Sequence, residues 1–225
     1  MLVKNWMTEK IVTVGPSASM QDAIQLMREH HIRILPVMKN NKIVGVVTDN
    51  DIKRASASDA TSLDVHELLY LISKLKIKAI MNKKAISVPF DHTIDEVAET
   101  MALNKVHGVP VVDHKKRLVG VITQTDISRA LLSLTGSGKR GIQFAFLIED
   151  RPGSIKVLTD IIREHGGRLL SILSSYDRAP EGYRNLYVRT FALNRKNLPE
   201  LKERLAGHAK LFYMIDHREN KREIY

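Results

Sequence analysis

The chain has 225 residues, 44% hydrophobic and 27% charged, a size and balance that fit one large or two modest globular domains and exclude a largely disordered chain. It has no cysteine, which removes disulfides and thiolate metal sites. The net charge of +10 suits an anionic partner, but acidic residues are interspersed with the basic ones, as in Asp216–Tyr225, and no recognition motif favours nucleic acid. Met1–Met7 lacks the apolar stretch of a signal peptide, and no run reaches the roughly 18 apolar residues of a membrane span. The expectation is a cytoplasmic protein with no membrane contact.

An internal repeat organises the first half. Met7-Thr8 through Val14 aligns with Met81-Asn82 through Val88 at an offset of 74 residues, as do Pro36-Val37 and Pro110-Val111. One extra residue then enters among Asp113–Arg117, and Gly45-Val-Val-Thr48 aligns with Gly120-Val-Ile-Thr123. Each copy reads as β-α-β-β-α. A short strand (Ile11–Val14; Ile86–Val88) precedes a helix. Ser19 with Asp22 resembles a capping start, and Thr93 with Glu96 is a capping box. Ile94, Val97, Ala98, Met101 and Ala102 space out one buried helix face. Strands follow at Ile34–Met38 and Ile43–Val47, and at Val109–Val112 and Leu118–Ile122, and a second helix starts near Asp51 or Asp126. One such unit barely makes a core, so the two are expected to pack as a pair. Between them a linker at 57–76 carries a helical pattern at Val65, Leu68, Leu69 and Ile72.

Each repeat ends its last strand in Gly-apolar-apolar-Thr-x-x-Asp: Gly45, Thr48 and Asp51, then Gly120, Thr123 and Asp126. Backbone N–H groups at a helix N-terminus favour anions, and a Thr hydroxyl adds a donor. The Asp can accept from two adjacent ribose hydroxyls, so Thr on phosphate and Asp on ribose would define a nucleotide. Equally, the Thr residues can be N-caps and the Asp residues favourable first-turn acids. Both readings stand at the level of sequence.

The first 132 residues resemble a tandem pair of cystathionine-β-synthase-type (CBS) domains, a Bateman module. The resemblance rests on Met-Thr/Asn before the first strand, Pro-Val in the second, and Gly-x-x-Thr-x-x-Asp after the third. It implies repeats at 1–56 and 77–135 with adenine nucleotides, or a related adenosyl compound, as regulatory ligand. Thr48 and Thr123 would contact phosphate, and Asp51 and Asp126 ribose. Val14, Val88, Ile34, Pro36, Gly108, Val109 and Pro110 would cage the adenine. Arg33 and His107 hold equivalent places that either face phosphates or sit in solvent. Arg is always charged and His is not, which makes the second site the weaker and pH-sensitive one.

Gly136–Gly141 is a glycine-rich hinge. Beyond it, strand Ile142–Ile148, helix Ile155–His165, strands Leu169–Ser175 and Leu186–Leu193, helix Leu198–Leu205 and strand Ala209–Ile215 give the β-α-β-β-α-β order of a ferredoxin-like fold. A charged tail at 217–225 follows. Asp150-Arg-Pro-Gly153 after the first strand, with Gly166-Gly167 ending the helix, resembles an ACT domain over 142–216. That resemblance implies homodimerisation and an amino-acid or small-metabolite site at Asp150, Gly153 and Ser154. The alternative is structural: Pro152 opens the helix and Gly153 permits close packing. A CBS pair followed by ACT resembles the acetoin utilization regulatory proteins.

The nine histidines form no His-x-x-x-His pair, no residue set stands out as a catalytic triad, and no Walker or dinucleotide loop occurs. The expected fold is mixed α+β and α/β. The expected function is a non-enzymatic sensor, with no catalytic residue, metal or cofactor, acting on an unknown downstream protein. The rival readings are an assembly scaffold with vestigial clefts and, on charge alone, a nucleic-acid-binding regulator.

Overall fold

Ser19 and Thr93 start their helices in the same way. The Ser19 hydroxyl accepts from the Asp22 N–H (3.1 Å) while the Asp22 carboxylate accepts from the Ser19 N–H (2.8 Å). Thr93 and Glu96 repeat the exchange. This computed structural model describes residues 1–59 and 73–225, so the helical pattern at Val65–Ile72 lies outside the described residues. It divides into a unit of Met1–Ala130 and a unit of Leu131–Tyr225.

In chain order the first unit holds α1 (Met20–Glu29), β1 (Ile34–Lys39), β2 (Lys42–Thr48), α2 (Asp49–Asp59), α3 (Ile77–Ile80), β3 (Val88–Pro89), α4 (Ile94–Asn104), β4 (Gly108–Val112), β5 (Leu118–Thr123) and the first seven residues of α5, which runs Gln124–Leu134. Helix α1 buries Met20, Ala23 and Met27, and α4 buries Ile94, Val97 and Met101 of its expected face, whereas Ala98 is half-buried and Ala102 is exposed. Strands β1 and β2 form an antiparallel hairpin. Its two turn residues, Asn40 and Asn41, both take positive φ (51° and 59°), the twist that tight hairpins require. The β4–β5 turn contains the extra residue and is held by the Asp113 carboxylate, which accepts from the N–H groups of Lys115 and Arg117.

The expected strand at Ile11–Val14 shrinks to a single parallel bridge between Val14 and Val37. Val14 donates to the Pro36 carbonyl and accepts from Met38 N–H, after which Gly15 and Pro16 turn the chain away. Pro16 has no N–H to extend a ladder. Its counterpart survives only as β3, parallel to Val111 and Val112.

The segment leading into each repeat packs against the other repeat. Thr8 and Val121 exchange backbone hydrogen bonds (2.9 and 3.0 Å), and Met1 and Val3 bond to Ile94 and His92. Reciprocally, Asn82 and Val46 exchange bonds of 2.8 and 3.0 Å, and Leu75 and Ile77 bond to Met20 and Ala18. Val3 is fully buried in the core of Val88, Val97 and Met101, whereas Ile77 is fully buried in that of Val14, Met20 and Leu35. Each such burial stabilises by about 1.5–3 kcal/mol. Two glycines make the exchange fit: a Cβ on Gly120 would lie 2.5 Å from Met7 Sδ, and one on Gly45 2.8 Å from Met81 Sδ. The repeated Met and the repeated Gly are thus the two halves of one contact.

The second unit holds β6 (Ile142–Glu149), α6 (Ser154–Glu164), β7 (Arg168–Ser175), β8 (Tyr183–Phe191), α7 (Leu198–Ala206), β9 (Lys210–Asp216) and β10 (Lys221–Ile224). The first six elements follow the expected β-α-β-β-α-β order. The strands lie in the order β10-β9-β6-β8-β7, every neighbouring pair antiparallel. Inward strand residues (Phe144, Phe146, Leu186, Val188, Leu211 and Met214) pack against Leu158, Ile161 and Ile162 of α6 and Leu201 and Leu205 of α7. Residues 217–225, read from charge as a tail, instead turn back and add β10. Glu223 on that strand accepts from Lys202 of α7 (2.7 Å) and from the Tyr225 hydroxyl (2.6 Å).

Candidate ligand site

Register brings the repeated residues together. Ile34 lies opposite Thr48 in the β1–β2 pair, and Gly108 opposite Thr123 in the β4–β5 pair. At each strand-to-helix junction the first helical N–H crosses back. Asp49 donates to the Arg33 carbonyl (3.1 Å) and Gln124 to that of His107 (3.0 Å). Arg33, Ile34, Thr48 and Asp51 therefore share one sheet end, and His107, Gly108, Thr123 and Asp126 the other. The two ends meet: a Cβ on Gly108 would lie 3.4 Å from Ile34 Cδ1 and 3.2 Å from Thr123 Cγ2. Val14, Ile34, Pro36, Val88, Val109 and Pro110 are buried, Val14 beside β1 and Val88 beside β4.

The Thr and Asp side chains are engaged with each other. Thr48 N–H and hydroxyl both donate to Asp51 Oδ2 (2.9 and 2.6 Å), and Asp51 N–H donates to the Thr48 hydroxyl at 3.3 Å. Thr123 donates to Asp126 Oδ2 in the same two ways (2.8 and 2.7 Å). These bonds are the N-terminal capping reading of the motif. While the pair is closed, the hydroxyl proton faces a carboxylate and is not offered to an anion. The other carboxylate oxygen is met by an arginine one turn on: Arg54 approaches Asp51 Oδ1 at 3.4 Å, and Arg129 approaches Asp126 Oδ1 at 2.6 Å. Both arginines recur at the same place in the two repeats. Extending the repeat alignment three residues would have found them.

Arg33 and His107 are both exposed. His107 Nδ1 lies 2.9 Å from Gln124 Oε1. The equivalent junction carries Asp49, paired with Lys53 at 3.2 Å. The two ends therefore share a frame but differ in charge.

In the second unit Asp150 and Ser154 converge on Arg184, whose guanidinium lies 3.4 Å from Asp150 Oδ1 and 3.5 Å from Ser154 Oγ. The Tyr176 hydroxyl is 3.4 Å from the same Asp150 oxygen. Gly153 has φ 86° at the N-cap of α6, and nothing lies within 4 Å of a Cβ placed there. Its role is the left-handed turn rather than close packing. Pro152 precedes that cap instead of opening the helix, which begins at Ser154.

Among the described residues no helix is long and apolar enough to cross a membrane, and no three His, Asp or Glu side chains gather to hold a metal ion.

Residues 3–58 and 77–133 match the family model described as the CBS domain. An L-aspartate semialdehyde sulfurtransferase of Methanocaldococcus jannaschii is 33% identical over 129 residues, which are 57% of this chain and 23% of that protein. An inosine-5′-monophosphate dehydrogenase of Korarchaeum cryptofilum is 32% identical over 124 residues, 55% of this chain and 23% of the enzyme. The chain thus spans about a quarter of the length of these two relatives. Among solved structures, the CBS domain pair of protein MJ0100, in complex with 5′-methylthioadenosine and S-adenosyl-L-methionine, aligns with a TM-score of 0.51 and 32% identity over 58% of this chain and 99% of that one.

Proposed function

This chain belongs to the CBS domain family, and from that premise we propose that it is a non-enzymatic regulatory sensor whose first unit binds adenine nucleotides or related adenosyl ligands. The observation that carries the reading is the meeting of the two Thr/Asp junctions at Ile34 and Gly108. The similar CBS pair that holds two adenosyl compounds supports the ligand class. Asp51 and Asp126 would take the ribose hydroxyls on the oxygens that Arg54 and Arg129 now meet. The released guanidinium groups, Arg33, and Thr48 and Thr123 once their pairs open, would face the phosphate or its substitute. Val14, Ile34, Pro36, Val88, Val109 and Pro110 would border the base. His107 would leave its site less cationic than the one beside Arg33.

The second unit is read as a ferredoxin-like ACT domain, supported by its strand order and by Gly153. Asp150 beside Arg184 offers opposite charges to a zwitterion, which suits an amino acid. Its sheet also suggests the dimer edge. β10 ends one side with Lys221, Arg222 and Glu223, whereas β7 reads Arg-Leu-Leu-Ser-Ile-Leu-Ser-Ser, with Ile172 exposed and neither Pro nor Lys. The part of that edge beyond the Leu169–Ser171 bulge, from Ile172 to Ser175, favours pairing with a second copy. The order of the two units resembles acetoin utilization regulators, and the output of sensing passes to a partner protein.

Isothermal titration of the full chain with AMP, ADP, ATP, 5′-methylthioadenosine and S-adenosyl-L-methionine tests the sensor. Asp51→Asn and Asp126→Asn, which keep the side-chain shape, should each weaken one site at least tenfold. No binding at millimolar ligand by a folded protein overturns the reading. It would leave the scaffold reading, which the closed Thr–Asp pairs favour.

A further inference from the structure

At the end of β6 remote from Asp150 lies a cleft of about 200 Å³ bordered by Arg140, Ile142, Phe191, Leu193, Arg195 and Arg218. Eight strand residues separate it from Asp150, about 25 Å at the rise of a β-strand. Two of its lining residues, Arg195 and Arg218, bond to Asp216, whose side chain is 3% exposed. That carboxylate accepts from Arg195 Nε and Nη2 (2.7 and 2.9 Å) and from the backbone N–H groups of Arg218 and Glu219 (2.9 and 3.2 Å). One buried acid therefore fixes the Arg195 guanidinium and sets where the Arg218 side chain leaves the backbone. Neither the Arg140 nor the Arg218 side chain pairs with a carboxylate among the described residues.

More positive charge surrounds Phe191, with the Lys139 ammonium 4.7 Å and the Arg168 guanidinium 5.8 Å from its ring centroid. Against these five cations stand Asp216 and Glu219, the latter 3.6 Å from Arg195. The next residue, Ala192, holds φ 63°, a left-handed conformation unfavourable for a non-glycine residue. It turns the chain between Phe191 and Leu193, the apolar walls. Rigid guanidinium groups beside an apolar wall suit the planar, bidentate recognition of oxyanions.

We propose that this cleft binds a small organic molecule with a doubly charged oxyanion head, at a site separate from both the Thr/Asp junctions and Asp150. The volume admits the head group and a few carbons. The charge pattern selects a dianion over a monoanion, because one guanidinium is neutralised internally while Arg140 and Arg218 are not.

The test titrates the full chain with inorganic phosphate, methyl phosphate and succinate at constant ionic strength in chloride, following the backbone amides of Ala192 and Asn194 by NMR. Saturable shifts at those amides with at least one probe, absent with added chloride, are expected. Arg140→Gln and Arg218→Gln should each weaken that binding at least fivefold and leave adenosyl-ligand titrations unchanged. Phosphate probes that bind while succinate does not identify a phosphate ester; the reverse identifies a dicarboxylate. Shifts that track ionic strength alone, no saturation with any probe, or affinity unchanged in both variants overturn the site. Arg195 is left intact because its removal would strand the buried Asp216 and unfold the unit.

Discussion

Gly45→Ala and Gly120→Ala are the same substitution at equivalent places, yet the structure assigns them different costs. At Gly45 the new methyl meets Met81 Sδ at 2.8 Å and the Asn82 carbonyl oxygen at 2.9 Å. That oxygen accepts from Val46, and Asn82 N–H donates back, so the backbone must give way and both bonds lengthen. Overpacking costs about 1–3 kcal/mol, and each weakened bond up to about 1 kcal/mol. The expected destabilisation is about 2–4 kcal/mol. At Gly120 the nearest atoms, at 2.5, 2.9 and 3.3 Å, all belong to the Met7 side chain, which can rotate away. The expected cost is about 1–2 kcal/mol. Urea unfolding measures both values. Trp6, the single tryptophan, is partly buried against the second repeat, so its fluorescence should change in native Gly120→Ala and not in native Gly45→Ala. Removing the methionine side chain should largely cancel the clash in Met7→Ala/Gly120→Ala but not in Met81→Ala/Gly45→Ala, where the carbonyl remains. An equal or greater cost at Gly120 would refute the reasoning.

Three further outcomes are expected. Asp126→Ala should destabilise the first unit by about 1–2 kcal/mol in urea titrations, more than Asp51→Ala, because Asp126 is the more buried of two capping carboxylates and has the closer arginine. Hydrogen bonds from Lys202, Lys221 and Tyr225 hold the Glu223 carboxyl down at about 2; burial raises that of Asp216, but its bonds from Arg195, Arg218 and Glu219 outweigh this and leave it below the usual range. Both groups are depressed on folding, so their stabilisation is complete above about pH 4.3 and is lost as pH falls toward 2. Glu223→Gln should flatten the acid limb of thermal stability measured between pH 5 and 2. Finally, Ile172→Lys on the β7 edge should convert a dimer to monomer in sedimentation velocity, and a dimer that persists would place the interface elsewhere.

The sequence is most legible where a few neighbouring residues settle the geometry. Ser19 with Asp22, and Thr93 with Glu96, mark helix starts because a cap is a local exchange of hydrogen bonds. Thr48 and Asp51 were legible as a pair but ambiguous in use, since the atoms suited to phosphate and ribose are also those that cap a helix. Periodicity was silent on partners brought in from afar: nothing local in Met1–Thr8 says that it completes the repeat starting some 70 residues later. β10 is not legible locally because its partners, the β9 ladder and Lys202 of α7, lie elsewhere in the chain, while Lys221-Arg222-Glu223 alone reads as solvated charge. The strand at Ile11–Val14 was overextended because its apolar pattern continues to a Gly-Pro break that leaves room for only one bridge.

The crossed leading segments have a further consequence. A fragment cut at residue 56 contains the strap of the second repeat but lacks Ile77, which fills its own core, and a fragment beginning at 77 lacks Val3. Two such halves are complementary pieces, each carrying the other's missing plug, and should fold when mixed although neither folds alone. The same bonds are made whether the plug comes from one polypeptide or from two. Concentrated refolding therefore offers two copies a domain-swapped form in which every native contact of the straps is preserved between chains.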